Sequence, residues 1–447
     1  MLFVIGILVI AVLPGLIWRA RLGGEVRERV AELEAAGMPV RLEQLDAGLP
    51  AVSEAENAAP RYLEAARGYV NISPEFWNDL PFVGQSSLAQ VSPQTSDRVM
   101  AMRALAEAHG RDDLPDVGRE AFDPAGPLAP ERVTAMRALI AANGAALAAV
   151  RDGAALPAAR YIGSYGDGQR PDLGHLENLG PLAPLLCCHA LVLAEDGRGD
   201  DALAALSDAL ALARSLASDG TFPSLITRWD MESEIQQALE YVLHKHAPGD
   251  NALAPFLDHF TVARREAQIR RMLEVEQGLF LARINESRRR GLLKNLAVSA
   301  GIGDLNLRAG LDCMALALEW PGADFEGRQR LEADYNTTYR RFARNELIYA
   351  TFLTYGVSVR FPFYVEHLDR AAVAEVALAL YRYRQSKGVY PETTEALVPD
   401  YLEILPVLAS RGTPVEYHVL PEEVVVHNGA VEDAYIRFTL GGPSPSI

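Results

Sequence analysis

The reactive side chains of this sequence fall in a few short clusters, each implying its own chemistry. Cys187, Cys188 and His189 are consecutive, and a thiol beside an imidazole is the starting material of a nucleophile and base. Successive residues on a helix point about 100° apart, so Cys188 and His189 cannot readily form the hydrogen bond that activates a thiol. Both cysteines are therefore expected to pack as small hydrophobes. His244 and His246, in HKHAPGD, suit a helix end, where a cation meets the negative pole. A helical metal site favours histidines at i and i+4, as in H-E-x-x-H, and no histidine pair has that spacing.

The remaining clusters are weaker. GSYGDGQ at 163–169 is glycine-rich but lacks lysine and the G-x-x-x-x-G-K-[ST] order, so it reads as an exposed, mobile loop and not a phosphate cradle. The pairs Asp112–Asp113 and Asp200–Asp201 read as helix caps and turn residues. Asn428, Glu432 and Asp433 supply three oxygen side chains to one loop, fewer than a calcium ion requires. These readings assign no catalytic, cofactor-binding or metal-ligating residue. A hydrolase site in the helical body would have to draw on His175, His189 or His259 with acidic partners.

The elements that position these residues follow from the bulk numbers and the hydropathy pattern. At 447 residues the chain is long enough for two or three cores. With 49% apolar and 23% charged residues it has the composition of an ordered protein. A net charge of -17 argues against a nucleic-acid partner, whose phosphates draw on a Lys/Arg surplus. Three cysteines without a C-x-x-C pair give no disulfide or zinc framework.

MLFVIGILVIAVLPGLIW carries no side-chain charge and is followed by Arg19 and Arg21. As a helix it would reach roughly 27 Å, close to the hydrocarbon thickness of a bilayer, which predicts a single N-terminal transmembrane helix meeting lipid through residues 1–18. Arg19, Arg21, Arg27 and Arg29 after the span favour a cytoplasmic body. Residues 1–21 thus read as the anchor, and 22–55 as an amphipathic helical stalk with Val26, Val30 and Leu33 at helical spacing. A helical body follows over 56–260, then a long helical segment over 261–366 and a small α+β cap over 367–447.

Within the body, RVMAMRALAEAHG from Arg98 and RVTAMRALIAANG from Arg132 repeat at an offset of 34, the period of tetratricopeptide helix pairs. PLAPLLCCHALVLAEDGRGDDALAALSDALALARSLA reads as a tetratricopeptide-like hairpin, with Pro184 in a first turn, a break at Gly197–Gly199, Asp200 or Asp201 as N-cap, and Leu203, Leu206 and Leu210 on one face. Further helices are expected from Ser224 to His244 and from Val262 to Arg289. The basic run over 264–294 reads as a solvated face paired with Glu266, Glu274, Glu276 and Glu286.

In the cap, Val373, Val376, Ala377, Leu380 and Tyr383 form one helical stripe from Asp369, ended by Gly388. Pro391 opens a short second helix that Pro399 stops. PVEYHVL, EEVVVHN and AYIRFTL alternate as three antiparallel strands, with Asn428-Gly429 as a turn signal.

The residues Tyr381, Arg382, Gly388, Tyr390, Pro391, Leu397, Pro399, Tyr401, Leu402 and Pro406 follow a YR-x-x-x-G-x-YP...L-x-P-x-YL...P run, and with it the segment resembles the globular end of type II secretion pseudopilins. The whole is similar to uncharacterised membrane-anchored helical proteins of planctomycete-type bacteria, which carry ENAAP near the start. The resemblance implies an extracytoplasmic body, opposite to the arginine bias; basic residues upstream of Met1 would reconcile the two. Some 350 residues separate the apolar segment from the headpiece-like module, unlike in pseudopilins. The function expected is a membrane-anchored, non-enzymatic interaction or scaffold protein with a protein partner. The alternatives are an accessory of a secretion or pilus-like system and the hydrolase above.

Overall fold

In the computed structural model the chain is described over residues 2–71, 126–166, 171–289, 302–343, 360–429 and 436–441. In chain order the helices are α1 (Leu2–Ala35), α2 (Leu42–Ala47), α3 (Ala59–Gly68), α4 (Pro130–Ala142), α5 (Gly144–Ala154), α6 (Gly174–Leu179) and α7 (Leu182–Glu195). They continue with α8 (Gly199–Ser215), α9 (Phe222–Lys245), α10 (Asp250–Leu257), α11 (Val262–Arg289), α12 (Ile302–Glu319), α13 (Phe325–Ala343) and α14 (Phe361–Lys387). Three strands close the chain: β1 (Glu416–Val419), β2 (Glu423–His427) and β3 (Arg437–Gly441). The fold is mainly helical with a small C-terminal antiparallel sheet of order β1-β2-β3.

Two compact units assemble from separate stretches of chain. One gathers Met1–Leu49, Gly163–Asp172 and Ile269–Phe361. In it, Val26 on α1 joins Val40, Phe280, Leu281, Ile284, Leu307 and Leu311 in a small core, with Val30 and Leu33 packed against it. Helix α1 ends at Ala35, well short of the residue-55 end expected for the stalk, because Gly37 takes a left-handed φ of 79°. There the Met38 N–H donates to the Leu33 carbonyl at 2.9 Å and the Gly37 N–H to that of Glu34 at 3.0 Å, which satisfies the last carbonyls of the helix.

The other unit gathers Pro50–Ile162, Leu173–Gln268 and Pro362–Ile447. Its core runs through α3 to α10, the buried face of α14 and the sheet. Asn57 of ENAAP fastens the entry: its Oδ1 accepts from the Ala59 and Arg160 N–H groups, and its Nδ2 donates to the Arg160 carbonyl. Helices α7 and α8 meet across a tight turn at Gly197, whose φ is 76°. Leu203, Leu206 and Leu210 are each at most 1% exposed, and each such leucine contributes about 1.5–3 kcal/mol of burial. Asp200 and Asp201 lie in the first turn of α8, whose N-cap is Arg198. They favour the positive end of the dipole instead of capping it.

Three other expectations are revised. Helix α14 begins at Phe361, eight residues before Asp369, with Pro362 in its first turn and Phe361, Tyr364, His367 and Leu368 continuing the buried stripe. The second cap helix is only a 3-10 turn, Thr394–Leu397, since Pro399 pushes its predecessor out of the helical region. Asn428-Gly429 starts a connection that runs on to residue 436, so it is not a two-residue hairpin. The first copy of the 34-residue repeat, Asp112–Asp113, and Glu432 and Asp433 lie outside the described residues.

Among the described residues, one helical run, Gly174–Glu195, with a mean hydropathy of 1.4, is long and apolar enough to cross a bilayer. It is internal, and 72% of its most apolar window is buried within the protein, as suits the core helix of its unit. Of the side chains that would make the expected N-terminal span, only Ile17 and Trp18 are described, 60% and 47% exposed.

Candidate functional site

Helix α9 starts at Phe222, with Pro223 in its first turn, beneath a Thr221 N-cap whose Oγ1 accepts the Ser224 N–H at 3.3 Å. It has no single apolar stripe, and the structure buries it nearly all round, with Arg228, Glu232, Glu234, Gln236 and Glu240 taken inside. Such groups need partners, because an unpaired buried charge costs far more than its packing returns.

Glu232 is the hub. Its Oε1 accepts from Arg228 Nε at 2.7 Å and from His259 Nε2 at 2.6 Å, and its Oε2 receives Arg265 Nη1. Trp229 Nε1 donates to Gln268 at 2.7 Å, the Arg265 guanidinium lies 5.6 Å from the Trp229 ring, and His367 stacks on that ring at 4.3 Å. Burial alone would raise the Glu232 carboxyl, but Arg265, Arg228 and His259 hold it well below the usual carboxylate range. Burial lowers His259 and drives His367 well below the ordinary imidazole value. The neutral His259 donates from Nε2 to the carboxylate, and its Nδ1 has no hydrogen-bond partner. Arg228, Trp229, Glu232, His259, Arg265 and His367 are each at most 6% exposed, and Gln268 is half-buried. The arrangement ties α9 to α11 and α14, and its polar groups face one another instead of solvent.

A second acid–imidazole contact joins His175 Nε2 to Asp219 Oδ2 at 2.7 Å. The same oxygen accepts from Ser224 Oγ at 2.8 Å, and Tyr161 stacks on His175 at 4.5 Å with an interplanar angle of 2°. Serine and imidazole thus converge on one carboxylate oxygen, whereas a nucleophile must meet its base directly. Of the three histidines named for a hydrolase, His175 and His259 have acidic partners in enclosed sites. His189 is half-buried, and burial, then Arg151 and Arg198, lower its pKa.

Cys187 and Cys188 are fully buried. Burial, reinforced by Glu234, raises both thiols and so disfavours the reactive thiolate. Burial likewise raises the Glu234 carboxyl well above its ordinary value, and its Oε2 has no hydrogen-bond partner. The stability this protonated group contributes is complete below the unfolded carboxyl pKa and is lost as pH rises through the higher folded value. Glu234→Gln is expected to flatten the fall in melting temperature between mildly acidic and mildly alkaline buffer. A variant whose melting declines with pH as steeply as the parent would refute a protonated Glu234. His246 Nε2 reaches the Ala194 carbonyl at 2.7 Å, at the C-terminal end of α7. In the glycine-rich loop Gly163 and Ser164 are exposed, whereas Tyr165 is fully buried and its N–H donates to Asp46 at 2.7 Å; residues 167–169 lie outside the described residues.

The basic run is also different from a uniformly solvated face. Arg271 approaches Glu274 at 3.8 Å as the charge pattern suggests, but Arg265 is buried on Glu232. The only advance signal for that hub was Arg228 and Glu232 at i, i+4 on a helix without an apolar stripe.

The cap is held through Asp369 on α14, whose oxygens accept from the Ser410 N–H at 3.2 Å and from Asn428 Nδ2 at 3.4 Å. Asn428 Oδ1 also accepts the Ile436 N–H at 3.3 Å, so this residue closes the mouth of a loop. The two sheet edges differ. On β3, the outward Thr439 N–H donates to Glu240 at 2.7 Å, and the outward Gly441 carbonyl accepts from Tyr390 at 2.9 Å and from Arg384. On β1, the register sets His418 opposite Val425 and Tyr417 opposite Val426. Because the Thr439 N–H points away from β2, alternation directs the Tyr417 and Val419 backbone groups away from β2 as well. No described residue bonds to them. Sequence periodicity located these strands but carried no sign of which edge would be covered.

Among the described residues no group of three or more metal-ligating side chains is gathered. No protein-family model, curated protein or solved structure matches the chain.

Proposed function

We propose that this chain is a membrane-anchored protein that holds a protein partner and does not transform a substrate. The observation that carries the reading is helix α1, unbroken from Leu2 to Ala35. Its first part belongs to an eighteen-residue stretch without a charged side chain, and its later turns pack through Val26 into a globular core. One rigid element therefore joins a lipid-compatible segment to folded protein. The pairing of His175 and His259 with carboxylates inside the fold supports a structural use of these groups. The tetratricopeptide-like turn between α7 and α8 suits a partner-binding body.

A secretion or pilus-like accessory is the second reading. It is favoured by the order of helix, break and three antiparallel strands in the segment that carries the pseudopilin-like residues 381–406.

In a flotation assay with vesicles, the full chain is expected to rise with lipid and to resist carbonate extraction. Ile7→Asp with Ile10→Asp is expected to shift it to the soluble fraction, since each charge at mid-bilayer costs about 2.5–3.5 kcal/mol. A full chain that stays monodisperse without detergent, or turnover in a screen of ester, peptide and glycoside substrates, would overturn the reading.

A further inference from the structure

The cap carries several exposed apolar side chains, two of them, Val419 and Leu420, at the end of the strand whose outward backbone no described residue bonds. Val389, Val398, Ile404, Val407, Val419 and Leu420 are all at least 37% exposed, Ile404 reaching 74%. On β1 itself, Val419 shares the face of Tyr417, next to the fully buried Val424 and Val426 of β2, so the apolar face of the sheet continues to the open edge. The Tyr417 hydroxyl donates to the Pro391 carbonyl, which draws the segment carrying Glu392 and Glu395 alongside. Burial, then Tyr383 and these two carboxylates, raise the Tyr417 phenol. Glu416 and Glu422 are exposed at either end of the strand. The imidazole of His418 points to the opposite face, stacked on His427 at 4.9 Å, and Arg411 lies beside His427.

An edge strand with outward N–H and C=O groups is a template for another strand, and natural proteins ordinarily cover or charge it. Here β3 is covered by Glu240, Arg384 and Tyr390, whereas β1 is flanked by carboxylates. A second copy would bring Glu392, Glu395 and Glu416 against their equivalents, a repulsive pairing. A cationic segment reverses that sign.

We propose that β1 receives an extended, basic partner segment by strand addition, with backbone bonds to Tyr417 and Val419, alternate apolar side chains continuing the Val419 face, and Lys or Arg side chains on the other face meeting Glu416, drawn in at longer range by Glu392 and Glu395. This names the partner chemistry of the interaction protein proposed above and rests on that reading. Backbone pairing supplies affinity and alternate side chains supply selection, as in other β-augmentation sites.

The test uses the full chain in detergent micelles and a fluorescent, end-blocked Lys-Val-Lys-Val-Lys-Val peptide, with its glutamate counterpart as control. The basic peptide is expected to bind with an affinity that falls as salt is raised, and to slow amide exchange at Tyr417 and Val419. Val419→Pro removes one outward N–H while sparing the bonds to β2, as proline is tolerated at an edge. It should weaken binding at least about tenfold. Glu392→Gln with Glu395→Gln should weaken binding and flatten its salt dependence. Equal binding of both peptides, unaltered binding to a Val419→Pro chain that melts like the parent, or a concentration-dependent dimer that Val419→Pro abolishes would overturn the proposal. Loss of vesicle flotation would instead strike the anchored reading, so the two failures are distinguishable.

Discussion

Glu232→Gln is expected to destabilise the unit built around α9 by about 3–5 kcal/mol, the cost of leaving buried charge without its partner. Arg228 and Arg265 both bind this carboxylate, and both are less than 10% exposed. Glutamine keeps the shape but cannot neutralise two guanidinium groups, and its amide presents a donor where His259 also donates. For a unit of this size the loss corresponds to roughly 5–8 °C in melting temperature. Replacing the set together, as Arg228→Met, Glu232→Leu and Arg265→Met, should recover much of it, because a well-packed apolar cluster often matches a buried ion network in stability. Calorimetry of the two variants checks both statements; a glutamine variant that melts with the parent would show that the carboxylate is not the counter-charge.

The same hub sets an acid limit. Glu232 has a depressed folded pKa, so its contribution is present above the ordinary carboxyl value and lost as pH falls through the folded one. The imidazoles of His259 and His367 are depressed too, and their contribution begins to fade earlier, as pH drops below about 6.5 and the unfolded histidines take up protons.

The second large effect is expected in the other unit. A methyl group at Gly310 would lie well under 3.0 Å from Cζ and Cε1 of Phe280, a ring only 2% exposed. These distances lie inside any permissible carbon contact, so Gly310→Ala must displace the ring or the helix. Overpacking of this kind costs about 1–3 kcal/mol, and the depth of the overlap places this case toward the upper end. Because the Phe280 core has few members, little neighbouring side chain is available to absorb the shift. Phe280→Leu in the alanine background should restore part of the loss. A thermal melt of the double variant that falls by the sum of the two single effects would show that the two sites do not meet.

Both predictions depend on contacts that no local pattern announces, and the division is visible residue by residue. The helix from Val262 to Arg289 and the entry at Pro223 were legible because periodicity and proline act over one or two turns. So were the three strands, whose alternation is local, and the burial of Cys187 and Cys188, which the apolar surroundings imply. The end of α1 at Gly37 was available in principle, since glycine is the residue that a left-handed cap favours. The start of α14 at Phe361 was available too, through Pro362.

Residue order alone therefore determined a mainly helical chain with a small antiparallel sheet at its end, an acidic surface and an uncharged apolar segment at residues 1–18. Tertiary structure alone decided that Glu232 finds Arg265 thirty-three positions away, that Glu240 covers one strand edge while no described residue bonds to the other, and that three distant stretches combine into one unit. The physical reason is range: turns, caps and amphipathic periods are settled by neighbours a few residues apart. Charge pairing in the interior and the covering of a strand edge depend instead on which distant elements come together.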